Sequence, residues 1–87
     1  MVAYRIEWKP SAVRELKRLD RQSIPRIVEA IVTLSSNPFP HGVRKLQGAE
    51  RVYRMRVGQY RVIYQIEPES SSLQIMRIRH RKDAYRD

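Results

Sequence analysis

The chain has 87 residues and no cysteine, which fits one domain whose fold is not held by a disulfide and whose chemistry uses no thiol. Hydrophobic residues make up 41% of it, enough for one modest core and too many for a disordered chain. The net charge is +9 and arginines outnumber lysines 14 to 4, so a polyanionic partner is expected, either nucleic acid or an acidic protein segment.

The apolar runs are too short to cross a bilayer, and the N-terminus lacks a signal-peptide core. No predicted helix is both basic and strongly apolar on one side, so a membrane surface is not the expected partner, and the expected location is cytoplasmic. The charge is uneven. Residues 1–43 carry seven Lys/Arg against four Asp/Glu, and residues 44–87 carry eleven against five.

Val2 to Trp8 alternates apolar and polar residues and predicts a first strand, with Val2, Tyr4 and Ile6 on one face. Pro10-Ser11 then opens a helix, proline suiting the first turn and serine the cap. Ala12, Val13, Leu16 and Leu19 fall at helical spacing. Asp20-Arg21-Gln22 is a short link, and Ser23 with Pro25 marks a second helix whose buried face is Ile27, Val28, Ile31 and Leu34. The link is short enough to make the two helices a hairpin. The run Asn37-Pro38-Phe39-Pro40-His41-Gly42 ends the second helix.

Three strands follow, at about Arg51–Val57, Tyr60–Glu67 and Leu73–His80, joined by turns at Gly58-Gln59 and at Pro68 to Ser71. Arg81 to Asp87 reads as a short polar tail. The order is β-α-α-β-β-β over a single domain, residues 1–87. The fold class is α+β, an antiparallel sheet with the helical hairpin packed on one face. Alternation puts Tyr53, Met55 and Val57 on one side of their strand and Arg54 and Arg56 on the other. On the next strand Val62, Tyr64 and Ile66 oppose Arg61. Three guanidinium groups therefore converge on the free face. A second basic cluster, Arg77, Arg79, His80, Arg81 and Lys82, closes the chain.

With three glycines there is no phosphate-cradling loop, and two histidines without cysteine do not make a typical zinc site. No carboxylate pair has the spacing of a two-metal nuclease. An enzyme of this composition is expected to work without metal or cofactor. The residues suit phosphodiester cleavage in RNA. There, an internal 2′-hydroxyl attacks the neighbouring phosphate, and fixed cations stabilise the developing charge. Arginine's planar fork of donors matches phosphate oxygens. Tyr85, His80 and Lys82 are the candidates for proton transfer. Tyrosine and arginine also stack on unpaired bases. Trp8, Tyr4, Tyr53, Tyr60 and Tyr64 read as packing residues, and Phe39 and His41 as parts of the loop.

The tracts LSSNPFPHGVRKLQG, VYRMRVGQYRVIYQI and IRHRKDAY resemble the RelE/ParE toxins of bacterial toxin–antitoxin modules. The likeness runs from the first strand to Tyr85 and is closer to RelE than to ParE. It implies a ribosome-dependent endoribonuclease that cuts mRNA in the A site without metal. It also implies a RelB-like antitoxin partner that wraps the toxin, with operator DNA bound only through the toxin–antitoxin complex. By the resemblance the catalytic positions are Arg61, Arg79 or Arg81, His80 and Tyr85, and the basic positions on the second strand are Arg54 and Arg56; Lys45 and Lys82 are expected to bind RNA beside them. Arg54 and Arg56 stand where RelE proteins carry lysines, and arginine hardly ever gives up its proton. A proton acceptor would then be Tyr85, His80 or a ribosomal group. Two other readings compete: a ParE-like inhibitor of DNA gyrase that cuts no bond, and a basic protein that only binds RNA or an antitoxin.

Overall fold

The computed structural model describes residues 3–82. In chain order it has β1 (Arg5–Trp8), α1 (Pro10–Lys17), α2 (Ser23–Thr33), β2 (Arg44–Lys45), β3 (Val52–Val57), β4 (Tyr60–Glu67), a 3-10 turn (Pro68–Ser70) and β5 (Ser72–His80). The strands form one sheet in the order β1-β5-β4-β3-β2, with the helices on one face. The α+β reading holds, and two features extend it. β2 is a fifth strand of only two residues, paired antiparallel with Arg54 and Tyr53 of β3. β1 runs parallel to β5, with Arg5 opposite Ser72 and Trp8 opposite Ile75. Parity explains this. The helical hairpin carries the chain from one sheet edge to the other, and three antiparallel steps then return it beside β1 in the original direction. Val2, the expected first residue of the strand, lies outside the described residues.

The core lies between sheet and helices. Ala12, Ile27, Ile31 and Leu34 from the helices meet Met55, Val62, Tyr64, Ile66, Leu73, Ile75 and Ile78 from the strands. α1 starts on Pro10, whose missing N–H costs nothing in a first turn. Ser11, expected as its cap, sits inside the helix instead. Lys9 is the N-cap and makes no side-chain cap hydrogen bond. At α2 the capping is done from the link: the Ser23 N–H and hydroxyl both donate to the Asp20 carboxylate, at 2.9 and 3.1 Å. Those bonds favour the ionised form and hold Asp20 below the usual carboxylate range.

β1 stops opposite Ile75, which leaves the far end of β5 without a strand on that side. α1 takes over there: the Ile78 N–H donates to Glu15 Oε1 at 2.9 Å. Glu15→Ala would strand a partly buried amide and is expected to cost about 1–3 kcal/mol. Glu15→Gln keeps an acceptor and should cost much less. Urea unfolding of both variants checks this, and a Glu15→Ala protein as stable as its parent would refute it.

One irregularity decides which face β5 shows. Ile63 of β4 pairs with Arg77, yet Tyr64 pairs with Ile75, so Met76 is an extra, bulged residue. Leu73, Ile75, Arg77 and Arg79 would share one face under strict alternation. The bulge flips the parity, so Ile78 turns to the core while Arg77 and Arg79 turn to the open face.

Candidate active site on the open face of the sheet

The β3–β4 hairpin is set by a two-residue turn in which Gly58 takes φ +60°, a value that favours glycine. It fixes Val57 opposite Tyr60 and therefore Arg56 opposite Arg61. Arg61 in turn lies opposite Arg79 of β5. Directly opposed residues share a face, so Arg56, Arg61 and Arg79 form a row across three strands. A second row runs Arg44, Arg54, Ile63, Arg77 from β2 to β5. Ile63 is only 7% exposed and lies outside the helix-side core, covered between these arginines.

Opposed like charges destabilise a sheet, and here several arginines are arrayed side by side. Among the described residues no carboxylate pairs with Arg44, Arg54, Arg56 or Arg61; the ion pair found is Arg5–Glu7, at 3.1 Å on β1. The arrangement is costly without an anion and favourable with one. Arginine's planar fork of donors suits phosphate oxygens, so such an array fits a phosphate-bearing ligand. A cleft of about 470 Å³ opens on this face, lined by His41, Gly42, Arg44, Arg54, Met55, Arg56 and Arg61.

The residues singled out from the sequence divide into four groups. Arg54, Arg56, Arg61 and Arg79 come together on the open face. Lys45 and His80 do not join them. Lys45 lies opposite Tyr53, whose ring stacks on Tyr64 on the helix side. His80 lies opposite Tyr60, with ring centroids 5.3 Å apart in an edge-to-face contact. Its Nε2 is 3.2 Å from Gln59 Oε1, and its Nδ1 accepts the Lys82 N–H at 3.1 Å. The Arg81 N–H donates to the Gln59 carbonyl at 2.7 Å, so the hairpin turn grips the end of β5. Arg81 and Lys82 are exposed beside that turn. Tyr85 lies outside the described residues.

Three open-face residues escape a reading by motif. Arg44 belongs to the face only because β2 pairs with β3, and Arg77 only because Met76 is bulged. His41 reaches the cleft through the fold of its loop. The Phe39 N–H donates to Asn37 Oδ1 at 3.2 Å, Tyr64 donates its hydroxyl to the Pro38 carbonyl at 2.7 Å, and the Val43 N–H donates to the Pro40 carbonyl at 3.2 Å. Phe39 packs edge-on against Tyr53, with centroids 5.1 Å apart. His41 is therefore carried on a loop anchored on both sides of it.

The family model for the ParE toxin of type II toxin–antitoxin systems matches residues 6–85. This chain is a RelE/ParE-family toxin of a type II toxin–antitoxin system. It is 30% identical over 87 residues to the protein named RelE1 in Methanocaldococcus jannaschii, covering 97% of each chain. It is 31% identical over 84 residues to toxin RelG of Mycobacterium tuberculosis, covering 95% of this chain and 97% of that one. Among solved structures, the archaeal RelE–RelB complex of Pyrococcus horikoshii matches with a TM-score of 0.81 and 29% identity, over 92% of this chain and 97% of that one. The RelBE2 toxin–antitoxin complex of M. tuberculosis matches with a TM-score of 0.80 and 28% identity, over 91% and 99%. In the toxin described here no helix among the described residues is long and apolar enough to cross a membrane.

Proposed function

We propose that this toxin cuts mRNA on the ribosome, without a metal ion, in the cytoplasm. The observation that supports this best is the row Arg56–Arg61–Arg79 beside Arg54 and Arg44 on an open sheet face. In the reaction the 2′-oxygen attacks the adjacent phosphorus and the 5′-oxygen leaves, giving a 2′,3′-cyclic phosphate and a 5′-hydroxyl. Negative charge grows on the non-bridging oxygens of the phosphorane. Arg61, half-buried at the centre of the row, is the residue placed to bind them, and Arg79 supports it. Arg54 and Arg56 hold the flanking phosphates, and Arg81 and Lys82 extend the basic track beyond the sheet. Tyr85 stacks on a base exposed in the decoding site. His80 serves to tie the end of β5 to the β3–β4 turn.

A RelB-like antitoxin is the proposed partner; the P. horikoshii and M. tuberculosis relatives were crystallised with theirs. It neutralises the arginine face and so relieves the repulsion within it. The complex is proposed to contact operator DNA through the antitoxin.

Induction of the toxin followed by mapping of mRNA 5′ ends tests the proposal. New ends inside translated codons are expected, and they should disappear when translation initiation is blocked. The family model bears the name of ParE, so gyrase inhibition is the second reading. Intact mRNA together with DNA breaks would establish it and overturn the first.

A further inference from the structure

The arginine face has a chemical gap. Guanidinium groups bind and stabilise, but they do not accept a proton near neutrality. The attacking 2′-hydroxyl must lose one. Of the two histidines, His80 is turned to the helix side, with Nδ1 engaged by the Lys82 N–H and Nε2 by Gln59. His41 is the one that lines the cleft with Arg44, Arg54, Arg56 and Arg61. Among the described residues no hydrogen bond holds its ring. Imidazole is also the side chain best able to take and release a proton at physiological pH.

We propose that His41 is the general base of this toxin, an inference that rests on the endoribonuclease reading. An imidazole nitrogen of His41 takes the 2′-hydroxyl proton as the 2′-oxygen forms its bond to phosphorus. The P–O5′ bond breaks, and its electron pair leaves with the 5′-oxygen, which takes a proton from water. His41 then returns its proton to solvent. The loop is built to hold such a base. Its Pro38 carbonyl is tied to the core through Tyr64, and Gly42, at φ +90°, turns the chain into β2 directly after His41. β2 opens at Arg44 opposite Arg54, which brings the preceding residues alongside the arginine rows.

Single-turnover cleavage of mRNA on programmed ribosomes tests this with the full-length toxin, its His41→Ala variant and His80→Ala for comparison. The parent rate should rise with pH. His41→Ala should lower the neutral-pH rate by about 10² to 10⁴-fold, flatten that rise, and recover in part when free imidazole is added. His80→Ala should keep the parent's pH profile. A His41→Ala protein that cleaves at the parent rate overturns the proposal. So does one that is slow but keeps the parent profile and ignores imidazole, since His41 would then only shape the cleft. If the parent itself leaves ribosome-bound mRNA intact, the endoribonuclease reading fails and this inference fails with it.

Discussion

Arg61→Ala is expected to give a soluble, folded toxin that still binds its antitoxin but no longer arrests growth. The side chain belongs to the open face, while Val62, Tyr64 and Ile66 on the other side of β4 belong to the core. Removing it leaves no cavity among buried residues. It does remove the middle cation of the Arg56–Arg61–Arg79 row. A preorganised donor to a developing oxyanion is worth about 10² to 10³ in rate, or roughly 2.7–4 kcal/mol. Stability should hold or rise slightly, because one of three opposed like charges is gone. A loss of activity with no loss of stability is characteristic of a functional site. Arg61→Lys separates charge from shape: it keeps the cation and loses the planar fork, so an intermediate rate is expected. Single-turnover cleavage and thermal melts measure the two effects independently. Full activity in a soluble Arg61→Ala protein would remove Arg61 from the mechanism.

The parts of the fold that obey strict alternation were legible from residue order. Tyr53, Met55 and Val57 against Arg54 and Arg56 gave the faces of β3, and Gly58-Gln59 fixed its partner strand. The helices were legible from apolar spacing and from Pro10, Ser23 and the Asn37–Gly42 stop. What was not legible depends on distant contacts. Arg44-Lys45 has no strand signature of its own and is extended only because β3 offers an edge. The parallel pairing of β1 follows from the number of reversals between it and β5, not from any residue in β1. Alternation splits what looks like one basic cluster, and the Met76 bulge decides which way: Arg77 and Arg79 go to the open face, and His80 goes to the helix side. A parity clue was present, since Ile75 and Ile78 are both apolar at a spacing of three. His41 is adjacent in sequence to nothing catalytic, and only the anchored loop brings it to the arginines.

Tyr64 joins the stability of this protein to its site, and its two substitutions should behave very differently. The ring is fully buried, stacks on Tyr53 with centroids 6.1 Å apart, and sends its hydroxyl to the Pro38 carbonyl at 2.7 Å. Tyr64→Ala empties the centre of the core and is expected to cost about 3–5 kcal/mol, as for other large aromatic truncations. Against a total of roughly 5–15 kcal/mol, that removes a large share of the margin that keeps the chain folded. Tyr64→Phe keeps the ring and deprives the carbonyl of its donor, at about 1 kcal/mol. Burial raises the phenol above its ordinary pKa of 10.0, so in the folded state it remains a donor where a free tyrosine ionises. Stability from this group is therefore present below about pH 10 and is lost as pH rises above it. Tyr64→Phe should flatten that alkaline fall in thermal melts. It should also slow cleavage by more than its small stability cost suggests, because the lost bond anchors the loop that carries His41. Equal losses in stability and in rate would show that the anchor holds the fold and nothing more.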